Sequence, residues 1–174
     1  NAYGVNIRQL FEGNMYDSKM LPKSYLVKYI WITTPIGIML GWLMYLLGAG
    51  AKKLKLSAAI WMCLFAAVFP ILYIYISGGK VYGGLRHILF TIPMMGVCAV
   101  VGFYMVEKVF AKIKILNIVV PAVLLVLTAL PASFVFRSHP LEYVYFNELA
   151  GGIKGAYGKY EMDYYLASLK PTTE

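Results

Sequence analysis

Three cationic or titratable side chains stand at one edge between two apolar runs, in the stretch SGGKVYGGLRHILF (77–90). Lys80 is surrounded by glycines, and Arg86 and His87 directly precede the second run. Arginine offers a planar fork of donors that matches a phosphate, and a neighbouring histidine adds a further donor. The glycines would let the backbone approach a bound group closely, and a helix N-terminus at Arg86 would favour an anion. The pattern predicts a site for a lipid-linked phosphate.

A plainer interpretation applies to the same residues, because long cationic side chains near helix ends often reach lipid headgroups without binding a specific ligand. For Lys80 taken alone this interpretation is favoured. For Arg86 with His87 both interpretations stay open at this stage.

A second candidate site consists of Glu161 and Asp163 in GKYEMDYY, where tyrosines crowd two acids. For each external acid, Glu142 and Glu148 included, a solvated loop charge is the favoured interpretation, and Glu161 and Asp163 are the acids that best suit an exception as a catalytic acid or base. His87 and His139 are far apart, and there is no CxxC or other ligand spacing. The sequence therefore predicts no metal site.

The elements that must position these residues are four uncharged apolar runs, at 29–47, 57–76, 88–106 and 115–136. Each is close to the roughly 20 residues with which a helix crosses the hydrocarbon core. The chain is 60% hydrophobic with a mean hydropathy of +0.68, too apolar for an ordinary soluble domain. We predict an all-α, polytopic membrane helix bundle spanning 29–136, with helices at about 29–48, 57–77, 87–106 and 115–136. An external segment (1–28) precedes it, and an external, tyrosine-rich interfacial tail (137–174) follows.

The net charge of +8 is distributed as a topology signal. Six lysines lie in two short loops between apolar runs, with Glu107 the only acid there: Lys52, Lys53, Lys55, Lys108, Lys112 and Lys114. Short lysine-rich loops mark the cytoplasmic side and contact anionic lipids. We therefore expect 1–28, 77–87 and the tail to lie outside, in the periplasm if the membrane is a bacterial inner membrane. The same distribution argues against nucleic-acid binding.

Three stretches resemble bacterial membrane glycosyltransferases of the family 39-like, GT-C fold, relatives of protein O-mannosyltransferases and aminoarabinose transferases. MLPKSYLVKYIWITTPIGIML has the family's proline, tyrosine and lysine before a helix that carries ITTP. GGLRHILFTIPMM is similar to an external loop entering a proline-bearing helix, and HPLEYVYFNELAGGIKGAYGKYEMDYYLASLK is similar to the segment after the last helix of one bacterial subgroup. The resemblance covers most of the chain.

The resemblance implies an enzyme that transfers a sugar from a polyprenyl-phosphate-linked donor to an acceptor (protein, lipid or glycan) at the outer face. It implies that Arg86 and His87, helped by Lys80, stabilise the charge on the leaving lipid phosphate. It makes no cofactor certain, names the polyprenyl-phosphate-linked sugar as the donor substrate, and leaves open a divalent metal in the full-length enzyme. The family's carboxylate base lies in a first external loop, which we expect upstream of Asn1, so the fragment is expected to be incomplete as a catalyst.

An alternative function is that of a non-enzymatic membrane subunit, either a transporter piece or an assembly scaffold. Prolines inside the apolar runs, which kink helices, and the small-residue face from Gly37 to Gly41 would suit such a role.

Overall fold

A computed structural model describes residues 7–50, 57–79, 81–110, 112–139 and 143–162, apart from the side chains of residues 49, 50 and 117. The chain divides into two compact units. The first, here called the aromatic unit, contains the described parts of 1–33, 71–89 and 138–174. The second, here called the bundle unit, contains the described parts of 34–70 and 90–137.

The chain is mostly helical, as predicted, with one short hairpin that the sequence analysis did not anticipate. The elements are β1 (Arg8–Phe11), β2 (Asn14–Asp17), α1 (Ser24–Thr33), α2 (Ile36–Gly50), α3 (Ala58–Ser77), α4 (Thr91–Val109), α5 (Leu116–Ser138) and α6 (Gly152–Ala156). Two 3₁₀ turns, Arg86–Ile88 and Glu148–Ala150, precede α4 and α6.

Three helical segments are long and apolar enough to cross a membrane: Ala58–Ser77, Thr91–Val109 and Ile118–Ser138. They correspond to the second, third and fourth predicted spans. Within its described residues the chain thus has the helices of an integral membrane protein, three in number, or four if the broken pair α1 and α2 counts as one span.

The first predicted span, 29–48, is not a continuous helix. The chain bends by 112° between α1 and α2, at Thr34 and Pro35. Pro35 has no N–H to continue the helix, and the residue before a proline is driven out of the α region. At 1.5 Å per residue, α2 is about 22 Å long, which is short of a hydrocarbon core of about 30 Å.

The break at Pro35 leaves the last carbonyls of α1 in need of donors, and Asn147 supplies them. In a continuous helix the carbonyl of Trp31 would accept from residue 35, which is a proline. Instead, the side-chain Nδ2 of Asn147 donates to the Trp31 carbonyl at 2.6 Å, and its backbone N donates to the Ile32 carbonyl at 2.8 Å. Asn147 is fully buried. The segment after α5 is therefore fastened to the end of α1.

The aromatic unit has a core of rings. β1 and β2 pair antiparallel around Glu12 and Gly13, which both have positive φ (51° and 80°), as a two-residue type I′ hairpin turn requires. α1 buries one face at helical spacing, and this face packs on the hairpin and the tail. The buried core residues are Phe11, Tyr25, Tyr29, Ile32, Phe146, Ala156 and Tyr160.

The bundle unit is built on the packing of α2 against α4. A Cβ placed on Gly41 would lie 2.6 Å from the Cβ of Ala99, and one placed on Gly102 would overlap the carbonyl oxygen of Gly41. The indole Nε1 of Trp42 donates to the Met95 carbonyl at 3.0 Å. Of the predicted small-residue face, Gly41 brings the α2 and α4 backbones close together, whereas Gly37 lies against Leu127 of α5.

Candidate functional site

Arg86 and His87 lie in a separate turn ahead of the third apolar helix and do not begin it. The sequence analysis placed the start of that helix at 87, whereas α4 begins at Thr91 and the 3₁₀ turn Arg86–Ile88 precedes it. Ile88 is fully buried and its N–H donates to the Leu85 carbonyl at 2.9 Å, which anchors the turn. The N-terminus of α4, which would favour an anion, is therefore not at Arg86. A phosphate at Arg86 would have to be bound by the side chains and backbone of the turn itself.

The Arg86 guanidinium is half-buried and stacks on a ring. Its Cζ lies 4.8 Å from the centroid of Tyr82. Gly83 and Gly84 have φ of +70° and +65°, a conformation that suits glycine, and a Cβ on Gly83 would lie 3.5 Å from the Arg86 Cζ. Stacking fixes the plane of the guanidinium, and a fixed plane loses less entropy when it forms paired hydrogen bonds with an anion.

Two buried side chains hold the glycine pair in place. The hydroxyl of Tyr25, on α1, donates to Oε1 of Gln9, on β1, at 2.7 Å. The same Oε1 accepts from the N–H of Gly83 at 2.9 Å, and the Tyr25 hydroxyl accepts from the N–H of Gly84 at 2.9 Å. The backbone leading into Arg86 is thus fixed by hydrogen bonds from both preceding elements.

His87 shares the same aromatic neighbour. Its ring meets that of Tyr82 edge to face, with centroids 4.9 Å apart. Partial desolvation, and next the charge of Arg86, lower the pKa of His87, while a hydrogen bond with the backbone of Tyr82 opposes them. The imidazole is therefore mainly neutral at pH 7, and its single N–H is engaged with the Tyr82 backbone, so it can donate a hydrogen bond to a phosphate only after it takes up a proton.

Glu161, in the segment after α6, lies close to Tyr25 and Tyr29 of α1. Its backbone N–H donates to the hydroxyl of Tyr29 at 3.3 Å, and its Oε2 accepts from the N–H of Leu10 at 3.4 Å. The rings of Tyr25 and Tyr29 are 4.7 Å apart, and the charges of Glu161 and Arg86 both act on the Tyr25 hydroxyl. The structure therefore brings Arg86, His87 and Glu161 into one neighbourhood of the aromatic unit.

Lys80 and Asp163, the other two predicted site residues, lie outside the described residues. Within the described ranges, no group of three histidine, cysteine or carboxylate side chains is placed to hold a metal ion.

Sequence reasoning missed Gln9 and Tyr25, which position the site, and Tyr82, which orients Arg86. One signal was present in RQLFEGNMYD, where a Glu-Gly pair that could form a hairpin turn stands between two short segments that contain Phe11 and Tyr16. A hairpin there would have placed every second residue of β1, including either Gln9 or its neighbours, against the rest of the unit.

Comparison of the chain with protein-family models, with curated proteins and with solved structures found no match. The function is therefore argued from the chemistry of the site. A stacked guanidinium, an imidazole beside it that can take up a proton, and a backbone held in a glycine turn form an arrangement suited to binding a phosphate group.

Proposed function

We propose that this chain is part of an integral membrane glycosyltransferase that transfers a sugar from a polyprenyl-phosphate-linked donor to an acceptor at the outer membrane face. The observation that carries the proposal is the hydrogen-bonded frame of Gln9 and Tyr25, which fixes the glycine turn directly before Arg86 and His87. Fixed donors stabilise developing charge better than mobile ones, because they do not have to reorganise during the reaction.

In the proposed reaction an acceptor oxygen forms a bond to the anomeric carbon of the sugar while the bond from that carbon to the phosphate oxygen breaks. The bonding electron pair leaves with the lipid phosphate, and the acceptor proton passes to a carboxylate base. Arg86 and His87 bind the phosphate as negative charge develops on it, with Lys80 as a helper. Glu161 and Asp163 are proposed as candidates for the acceptor side of the reaction.

The outer, periplasmic placement rests on the alternation of the spans. Successive crossings by α3, α4 and α5 would leave the loop before α3 and the loop after α4 on one side of the membrane and residues 78–90 on the other. The aromatic unit joins residues 7–33 and the tail to 71–89, so these segments share the side opposite the lysine-rich loops. By the positive-inside rule that side is the exterior of a bacterial inner membrane.

The test is a transfer assay in membranes that contain the protein in its natural full length. Radiolabelled polyprenyl-phosphate sugar is supplied, and labelled acceptor is counted for wild type, Arg86→Ala, Arg86→Lys and a control, Arg137→Ala. Arg137 is an exposed arginine in the last turn of α5. We expect Arg86→Ala to lower the rate by roughly 100-fold or more, since removing one preorganised donor typically costs that much.

Arg86→Lys keeps the charge and loses the planar fork of donors, so its transfer rate should fall between that of wild type and that of Arg86→Ala. Arg137→Ala should transfer sugar at the wild-type rate. Near-wild-type transfer by Arg86→Ala would remove Arg86 from the mechanism. A complete lack of transfer by the wild-type protein with every polyprenyl donor would favour the alternative function as an assembly subunit.

A further inference from the structure

A groove of about 120 Å³ lies in the aromatic unit, and neither Arg86 nor His87 is among the residues that line it. One wall comes from the segment 18–27, which leads from the hairpin into α1, and the other from the end of α3 and the residues after it, namely Ile71, Ile74, Tyr75, Gly78, Gly79 and Val81. The apolar part of the lining includes Leu21, Ile71 and Ile74. Because α3 is long and apolar enough to cross a membrane, its end at Ser77 lies at the level of the lipid headgroups.

The polar part of the groove is cationic. Lys19 and Lys23 line it, and both are exposed. Among the described residues no carboxylate lines the groove. The two acids of the hairpin form ion pairs with other cationic side chains. Oδ1 of Asp17 lies 4.0 Å from Nε of Arg8, and Oε1 of Glu12 lies 3.2 Å from Nζ of Lys28.

The edge of the groove also suits an interface between headgroups and hydrocarbon. Tyr75 lines it with half of its surface exposed, and tyrosine is stable where one end is apolar and the other is wet. A Cβ on Gly78 would meet nothing within 4 Å, so there is open space beside the glycine backbone. Apolar walls that end at a pair of lysines match a molecule with a hydrocarbon chain and an anionic head.

We propose that this groove binds one anionic glycerophospholipid of the outer leaflet, with an acyl chain against Ile71 and Ile74 and the headgroup phosphate at Lys19 and Lys23. The proposal does not rest on the glycosyltransferase function, because it uses a different set of charged side chains. Free phosphate carries the same anionic group, but the apolar walls and the position at the end of α3 favour the lipid.

The experiment compares the chain in nanodiscs that contain phosphatidylglycerol diluted in phosphatidylcholine, and counts the phosphatidylglycerol retained after extraction by native mass spectrometry. The test variant is the double substitution Lys19→Gln, Lys23→Gln. The matched control is Lys154→Gln, Lys159→Gln, which removes two exposed lysines from the same unit without touching the groove. We expect the test variant to retain phosphatidylglycerol roughly 10-fold less well, and the control to match wild type.

A second variant tests the apolar wall, because the lysine substitutions report on charge alone. Ile74→Trp fills the groove, and should reduce retention of phosphatidylglycerol while leaving both lysines in place. Equal losses in the groove and control double variants would overturn the proposal, since the effect would then follow net charge. Displacement of the lipid by millimolar inorganic phosphate would identify free phosphate as the ligand, and equal retention of phosphatidylcholine would show that the lysines do not select an anionic lipid. Either result would also overturn it.

Discussion

The aromatic unit and the bundle unit hold themselves together in different ways. In the first, Phe11 is 1% exposed and contacts the rings of Tyr16, Tyr25, Tyr29 and Tyr160, and buried polar side chains form hydrogen bonds around them. In the second, Gly41 and Gly102 bring the backbones of α2 and α4 into contact, and many large side chains remain exposed on the helices.

The difference follows from the surrounding solvent. Water drives apolar rings into a core, whereas helices surrounded by lipid gain little from burying more hydrocarbon and depend on close packing. Buried hydrogen bonds such as those of Gln9 and Tyr25 can therefore fix polar groups precisely where water has been excluded by the ring core. This explains why the candidate site belongs to the aromatic unit. Substitutions in the two units should therefore differ in the size of their effect.

The largest effect is expected when the ring core is opened. Phe11→Ala should lower the free energy of unfolding of the aromatic unit by about 3–5 kcal/mol, because it removes a buried aromatic ring and leaves a cavity. Hydrogen exchange of the amides of β1, β2 and α1 measures this loss. Phe65→Ala is the matched control, since Phe65 is 62% exposed on α3. A similar loss in both variants would contradict a core centred on Phe11.

The next largest effect belongs to the bundle unit. Gly102→Ala should destabilise the packing of α2 on α4 by about 1–3 kcal/mol, because the added methyl overlaps the Gly41 carbonyl and lies 2.7 Å from the backbone N of Tyr45. Thermal unfolding in detergent measures the change. Gly96→Ala adds the same methyl to the same helix where nothing lies within 4 Å, and should be neutral or slightly stabilising.

A third prediction concerns the join between α1 and the tail. Asn147→Ala removes the donor to the Trp31 carbonyl and leaves that carbonyl without its replacement for the missing N–H of Pro35. We expect a loss of about 2 kcal/mol, measured as faster hydrogen exchange in α1 and in residues 147–157. Asn14→Ala, at an exposed hairpin position, should change little. Unchanged exchange in α1 for Asn147→Ala would show that the tail does not support this helix.

The sequence was a good guide where one physical signal dominates. Uncharged runs of membrane length predicted α3, α4 and α5 to within a few residues, because such runs have few alternatives to a helix. The run at 29–47 misled because hydropathy does not register the break that Pro35 makes. Pro35 also predicts that the Trp31 carbonyl lacks its donor within the helix. No local pattern indicates that Asn147, more than a hundred residues later, would donate to it.

The candidate site shows the same limit. Arginine beside histidine could be recognised as a phosphate-binding pair from residue types alone. The support from Gln9 and Tyr25 depends on long-range contacts with Gly83 and Gly84, which no spacing rule predicts.

The smallest predicted effect is a pH dependence at His87. Desolvation and Arg86 hold the pKa of His87 below its ordinary value of 6.5 in the unbound chain. A bound phosphodiester favours the protonated ring, so binding takes up a proton and donor affinity should rise as pH falls below 6.5, by about threefold. Titrations of donor binding between about pH 8 and pH 5.5 measure this. His87→Gln should make the affinity independent of pH in that range; an unchanged rise would place the titrating group elsewhere.

The central claim is that Gln9 and Tyr25 hold the turn in which Arg86 binds a lipid phosphate. The most direct measurement is the dissociation constant of a polyprenyl-phosphate sugar for wild type, Gln9→Met, Arg86→Ala and the double variant, a cycle that isolates the coupling between the two positions. The account predicts that Gln9→Met weakens binding by roughly 10-fold when Arg86 is present and hardly at all when Arg86 is absent. An equal loss in both backgrounds, or no loss in either, would contradict it.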